Sequence, residues 1–168
     1  MSEQPAVVHT VLQNVVESGE VPQAQDFQRW VDTAYLMADE DVQKESTVTI
    51  RVVDEAEGRE LNSSFRDIPR PTNVLAFPGA APAGLPPAEI GELGDLVICA
   101  PVVAREAVEQ EKTTVAHFAH LTVHGFLHLL GYDHDEPAAA ADMESLETRV
   151  LHKLGFPDPY TTGEHCRG

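Results

Sequence analysis

Residues 7–16 are rich in β-branched side chains and partly alternate, which predicts a first strand. Over residues 22–37 the apolar positions Phe27, Trp30, Val31, Ala34 and Leu36 recur at helical spacing, with Asp26 and Asp32 on the wet side. Alternation returns in TVTIRVV, residues 47–53, a second strand. Asp54 then reads as an N-cap that opens a helix over residues 55–65. The short run NVLAF, residues 73–77, lies between Pro71 and Pro78 and reads as a strand. Residues 78–87, PGAAPAGLPP, hold four prolines, two glycines and no charge, a loop too short to link domains. Residues 95–100 give another strand, and residues 101–111 a helix with proline in its first turn. Residues 114–130 form a long apolar helix stopped by Gly131, and residues 142–154 a last amphipathic one.

Strands and helices intersperse without repeats or low-complexity tracts. The expected fold is therefore α+β: one domain over residues 1–168, with about the last eight residues a flexible tail. Its sheet would be mixed and mostly parallel, of four to five strands, packed with helices around a central buried helix that bears histidines. A chain of 168 residues buries roughly 70% of its unfolded surface and needs no disulfide staples. Cys99, in the apolar run from Leu96, reads as a buried strand thiol, and Cys166 lies near the end of the chain. No disulfide is expected between them, which fits a reducing compartment.

The chemistry concentrates in the histidines. Of eight in the chain, His117, His120, His124, His128 and His134 fall within 18 residues. His124 and His128 are four apart on the expected helix and project from one face. Gly131 permits a left-handed turn that would bring His134 back toward them. Three imidazoles so arranged suit zinc, with other divalent transition metals as competitors. The competing reading, ordinary core histidines, would leave several polar groups unpaired on one buried face. His120 is expected to support or pack beside the ligands, and His117 to be solvated or packed. Structural zinc sites are usually closed by four protein ligands, whereas three leave a position for water and favour hydrolysis.

The spacing matches the metzincin protease pattern H-E-x-x-H-x-x-G-x-x-H at every ligand and at the glycine. Gly125 stands where that pattern has its general-base glutamate, so a zinc metallopeptidase is an alternative that lacks its usual base. The segment HLTVHGFLHLLGYDH, residues 120–134, resembles the signature of the YbeY family of bacterial endoribonucleases and rRNA maturation factors. Three further segments resemble that family in the same order. They are LNSSFR (61–66) followed by PTNVLAFP (71–78), GDLVIC (94–99), and Met143-Glu144-x-x-Glu147 in a helix leading to Leu154-Gly155-Phe156. The resemblance spans about residues 47–160.

It implies a zinc-dependent endoribonuclease, specific for single strands, acting in 16S rRNA 3′-end maturation and ribosome quality control. It carries over His124, His128 and His134 as ligands of one zinc per chain, and as catalytic residues together with Arg66. Arg66 would stand beside the metal and contact the substrate. A guanidinium there can take two non-bridging phosphate oxygens; the competing role is a surface ion pair with Asp67 or Glu60. Thr72 and Asn73 are candidate substrate-binding residues, or else close the turn before the strand. Two positions depart from the family pattern. Ala76 replaces a usual serine, and Pro137 and Ala138 follow His134 where acidic residues are common, so a supporting carboxylate near that turn is not expected. The implied partners are rRNA and the small ribosomal subunit, with ribosomal or GTPase proteins as candidates, and neither membrane nor DNA. A ribosome-assembly factor with purely structural zinc is a further alternative.

Charge first argues against nucleic acid: 11 Lys and Arg against 28 Asp and Glu give −17. Its distribution softens that. Residues 51–70 hold Arg51, Arg59, Arg66 and Arg70 against five acids, a net of −1. Weak affinity for free RNA and docking through a partner are therefore expected. The first twenty residues carry no Lys or Arg and no long apolar run, so the expected location is cytoplasmic.

Overall fold

A computed structural model describes residues 8–16, 21–38, 46–66, 73–78, 92–130 and 137–156. The elements are β1 (Val8–Asn14), α1 (Ala24–Ala38), β2 (Ser46–Val53), α2 (Glu55–Arg66), β3 (Val74–Pro78), β4 (Glu92–Cys99), α3 (Ala100–Glu109), α4 (Thr114–Leu129) and α5 (Pro137–Leu154). Every element expected from the patterning is present. The helix expected at residue 142 begins five residues earlier, at Pro137. The loop 78–87 and the terminal tail lie, beyond Pro78 itself, outside the described residues, as does Cys166.

The described residues form one four-stranded sheet in the order β1-β2-β4-β3. β1, β2 and β4 run parallel, and β3 is antiparallel to β4. The mixed, mostly parallel sheet is thus as expected, at the lower strand count. Its two faces follow the period of two in the sequence. Val48, Ile50 and Val52 of β2 and Leu96 and Ile98 of β4 point into the main core. That core also takes Phe27, Trp30 and Val31 of α1, Phe118, Val123 and Phe126 of α4, and Met143 and Val150 of α5. Edge-to-face contacts tie it together, with Phe27 ring centroids 5.2 Å from Trp30 and 6.3 Å from Phe118. On the opposite face Val53, Leu75, Val97, Cys99 and Val102 form a smaller core, with Cys99 buried and unbridged as expected.

Local chemistry sets the helix starts. Asp54 Oδ1 accepts from Glu57 N at 3.0 Å, the expected N-cap of α2. Thr113 Oγ1 accepts from Ala116 N at 3.0 Å and starts α4. α2 lies close against β4: a Cβ on Gly58 would sit 3.2 Å from Cys99 Sγ. α4 is the centre of the domain, packed against α1, α3, α5, β3 and β4. It is the buried histidine helix that the patterning predicts. Among the described residues no helix is long and apolar enough to cross a membrane.

Candidate metal centre and the carboxylate behind it

α4 divides by face. Phe118, Val123, Phe126 and Leu127 are wholly buried in the main core. His117, His120, His124 and His128 follow one another at spacings of three and four residues, a stripe on one side of the helix. Successive ring centroids lie 6.1, 6.3 and 4.7 Å apart, the closest being His124 and His128, whose planes cross at 83°. Two imidazoles one helical turn apart are thus neighbours, as the spacing predicts.

Gly125 faces neither the stripe nor solvent. A Cβ there would lie 2.8 Å from Leu96 Cδ2 and 3.5 Å from Val74 Cγ2, so α4 seats on the sheet at this residue. Leu96 is itself fully buried. The position that carries the general base in the metzincin pattern therefore has no room for a carboxylate. This physical reason tells against the peptidase alternative.

The carboxylate of this site comes from α5. Glu147 is fully buried among Met143, Leu146, Val150 and Leu151 on the inward face of that helix. Its Oε2 lies 2.5 Å from His124 Nδ1 and its Oε1 3.2 Å from His120 Nε2. A neutral imidazole that donates from Nδ1 keeps its lone pair on Nε2, the nitrogen that can bind a metal. The His124 side chain retains 24% exposure. Burial pushes the His120 pKa down, against the opposing pull of the Glu147 hydrogen bond and charge. His120 and His124 thus share one carboxylate. The sequence singles out Glu147 only as part of the family-like segment Met143-Glu144-x-x-Glu147 and assigns it no place beside the histidines. Its signal was an acid inside the apolar stripe 143, 146, 150, 151.

A second carboxylate meets the same helix nearer its start. His117 Nε2 lies 2.8 Å from Glu106 Oε1, and the same oxygen accepts from Asn73 Nδ2 at 3.0 Å. Burial raises the Glu106 pKa, but the hydrogen bonds from His117 and Asn73 outweigh it, and the net shift is downward. Cys99 N donates to Asn73 O at 3.0 Å. Asn73 therefore ties the start of β3 to β4 and α3, and its side-chain amide is engaged inside the protein.

Of the other expected site residues, Arg66 ends α2, with its side chain outside the described residues. Thr72 and His134 are outside as well. Arg51, counted with the relatively cationic stretch, is occupied by Glu57 at 2.6 and 3.2 Å and by Gln13 at 3.0 Å. Among the described residues no group of three His, Cys, Asp or Glu could hold a metal ion. The two expected ligands that are described fit one in their chemistry: adjacent imidazoles, one with its tautomer set by a buried carboxylate.

The fold and site together define an α+β domain built around a carboxylate-backed histidine helix. The model of the family "Endoribonuclease YbeY" matches residues 12–155, and the chain belongs to that family. This membership supports an endoribonuclease role in rRNA processing. The solution structure of TM1509 from Thermotoga maritima is similar at 25% identity and a TM-score of 0.56. The match covers 86% of this chain and 88% of that one.

Proposed function

We propose that this protein is a zinc-dependent, single-strand-specific endoribonuclease of 16S rRNA 3′-end maturation and ribosome quality control, working in the cytoplasm. The observation that carries the reading is the adjacent His124–His128 pair backed by buried Glu147, in a chain of the YbeY family. His124, His128 and His134 would hold one zinc. When bound, the ion supplies Lewis acidity beside a scissile phosphodiester.

The chain's own residues do the remainder. Glu147 lies against His124 Nδ1 and holds that ring in place. Arg66 binds two non-bridging oxygens of the substrate phosphate, where charge builds during cleavage. Asn73, whose amide is tied to Glu106, and Thr72 would contribute to substrate binding. The acidic surface disfavours nonspecific RNA binding, so docking on the small ribosomal subunit, through a ribosomal or GTPase protein, supplies the encounter.

The test is metal analysis paired with cleavage of a single-stranded 16S rRNA 3′ fragment. Wild type should carry about one zinc per chain, with its fourth position open for chemistry. Arg66→Ala should keep the zinc and the fold and lose cleavage. Normal cutting by Arg66→Ala would refute the role given to that arginine.

A further inference from the structure

Glu147 is costly where it stands. An ionised carboxylate sealed in an apolar helix face loses its hydration, and such groups persist only when firmly paired. The side chain has 0% exposure and lies in the inward stripe of α5, between residues that make the main core. A leucine or methionine would fill this position with ordinary packing. What the carboxylate adds among the described residues includes two directed hydrogen bonds to α4. Oε2 meets Nδ1 of His124, and Oε1 meets Nε2 of His120.

The two histidines present opposite ring nitrogens to this one carboxylate. One N–H from each ring is enough to satisfy one oxygen of the carboxylate. His120 is the less exposed ring, at 14% against 24% for His124. His120 is thus a fixed brace on the closed side. His124, the more exposed of the two rings, is the one expected to hold the metal. The negative charge behind that ring also makes it a stronger donor to a cation.

We infer that Glu147 is a positioning residue: it sets the His124 tautomer, braced by His120, and thereby tunes metal affinity through a ring it touches rather than through the ion. The inference rests on the zinc reading above, and its test separates the two.

The full-length protein is stripped with a chelator and titrated with zinc against a competing chelator, as wild type, Glu147→Gln and Glu147→Met. The His124 tautomer is read in parallel by long-range ¹⁵N NMR of the imidazoles. Thermal unfolding reports the fold. Methionine keeps the volume and removes both acceptors. It should fold, lose the single Nδ1–H tautomer of His124, and bind zinc about 10- to 100-fold more weakly. Glutamine keeps an oxygen for His124 and removes the charge, so it should hold the tautomer and weaken zinc by several-fold only. A Glu147→Gln protein with wild-type zinc affinity would overturn the inference, as would a folded Glu147→Met protein with wild-type tautomer and affinity. Lower thermal stability with both unchanged would make Glu147 a packing residue and overturn it too. If affinity and tautomer shift as expected while zinc-loaded wild type cuts no RNA, the positioning role stands and the nuclease reading fails.

Discussion

α4 carries two imidazole–carboxylate pairs, and they are built the opposite way round. In one, Glu147 is sealed at 0% exposure while His124 reaches solvent at 24%. In the other, His117 is sealed at 3% while Glu106 keeps 29%. Buried charge is tolerated where it supports something outside, and the first pair has the partly exposed His124 ring to support. The second pair has its histidine turned inward and its carboxylate shared with Asn73 of the adjacent segment. On the zinc reading proposed above, the same chemistry thus serves a ligand at one end of the helix and a structural tie at the other.

The largest effect that would expose this difference is at the ligand end. His128→Ala should lower zinc from about one per chain to near none and bring RNA cleavage to background, with the fold kept. Retention of zinc by the folded variant, measured by atomic absorption, would break the assignment of His128. Next in size is a change on the sheet-facing side of α4. Gly125→Glu restores the metzincin sequence pattern but forces a carboxylate against buried Leu96 and against Val74. It should destabilise the domain by about 3 kcal/mol or more and bring no casein cleavage. A stable, proteolytic Gly125→Glu protein would revive the peptidase alternative.

The tie should behave more mildly. Glu106→Ala leaves His117 Nε2 and Asn73 Nδ2 without their acceptor and should cost about 1–3 kcal/mol in chemical denaturation, with zinc affinity unchanged. The smallest effect is in pH. Glu106 has a pKa below the ordinary glutamate value of 4.5, so its contribution is complete above that value. It is lost as pH falls through the lowered folded-state value. Glu106→Gln should therefore remove that contribution at neutral pH, lowering stability there modestly, and flatten the acid limb below about pH 4.5, where wild type and variant converge. An unchanged acid limb would remove Glu106 from the account of acid unfolding.

The elements were legible because each has its own period: two in TVTIRVV, and helical spacing from Phe27 to Ala34. The early start of α5 was not, because residues 138–141 are all alanine and offer no polar–apolar contrast. Proline at the first position and alanine's helix propensity are what carry the helix there. At the site, His124 and His128 follow from local spacing, since one helical turn alone makes them neighbours. Glu147 does not. A charge in a sequence reads as the wet face until a second helix is known to cover it. The Asn73–Glu106–His117 tie is harder still, because its members lie 33 and 11 residues apart along the chain and only the packed fold joins them. Of the four arginines in residues 51–70, Arg51 is paired with Glu57, a contact between β2 and α2 that the charge count does not show.

The central claim is a zinc-dependent nuclease centred on the outward pair. Its most direct test is the cleavage rate of a single-stranded 16S rRNA 3′ fragment, and of the same fragment in duplex form, by zinc-loaded and chelator-stripped protein. The account predicts cutting of the single strand by the zinc-loaded form alone. Cleavage that survives stripping, or none above the His128→Ala control, would contradict it.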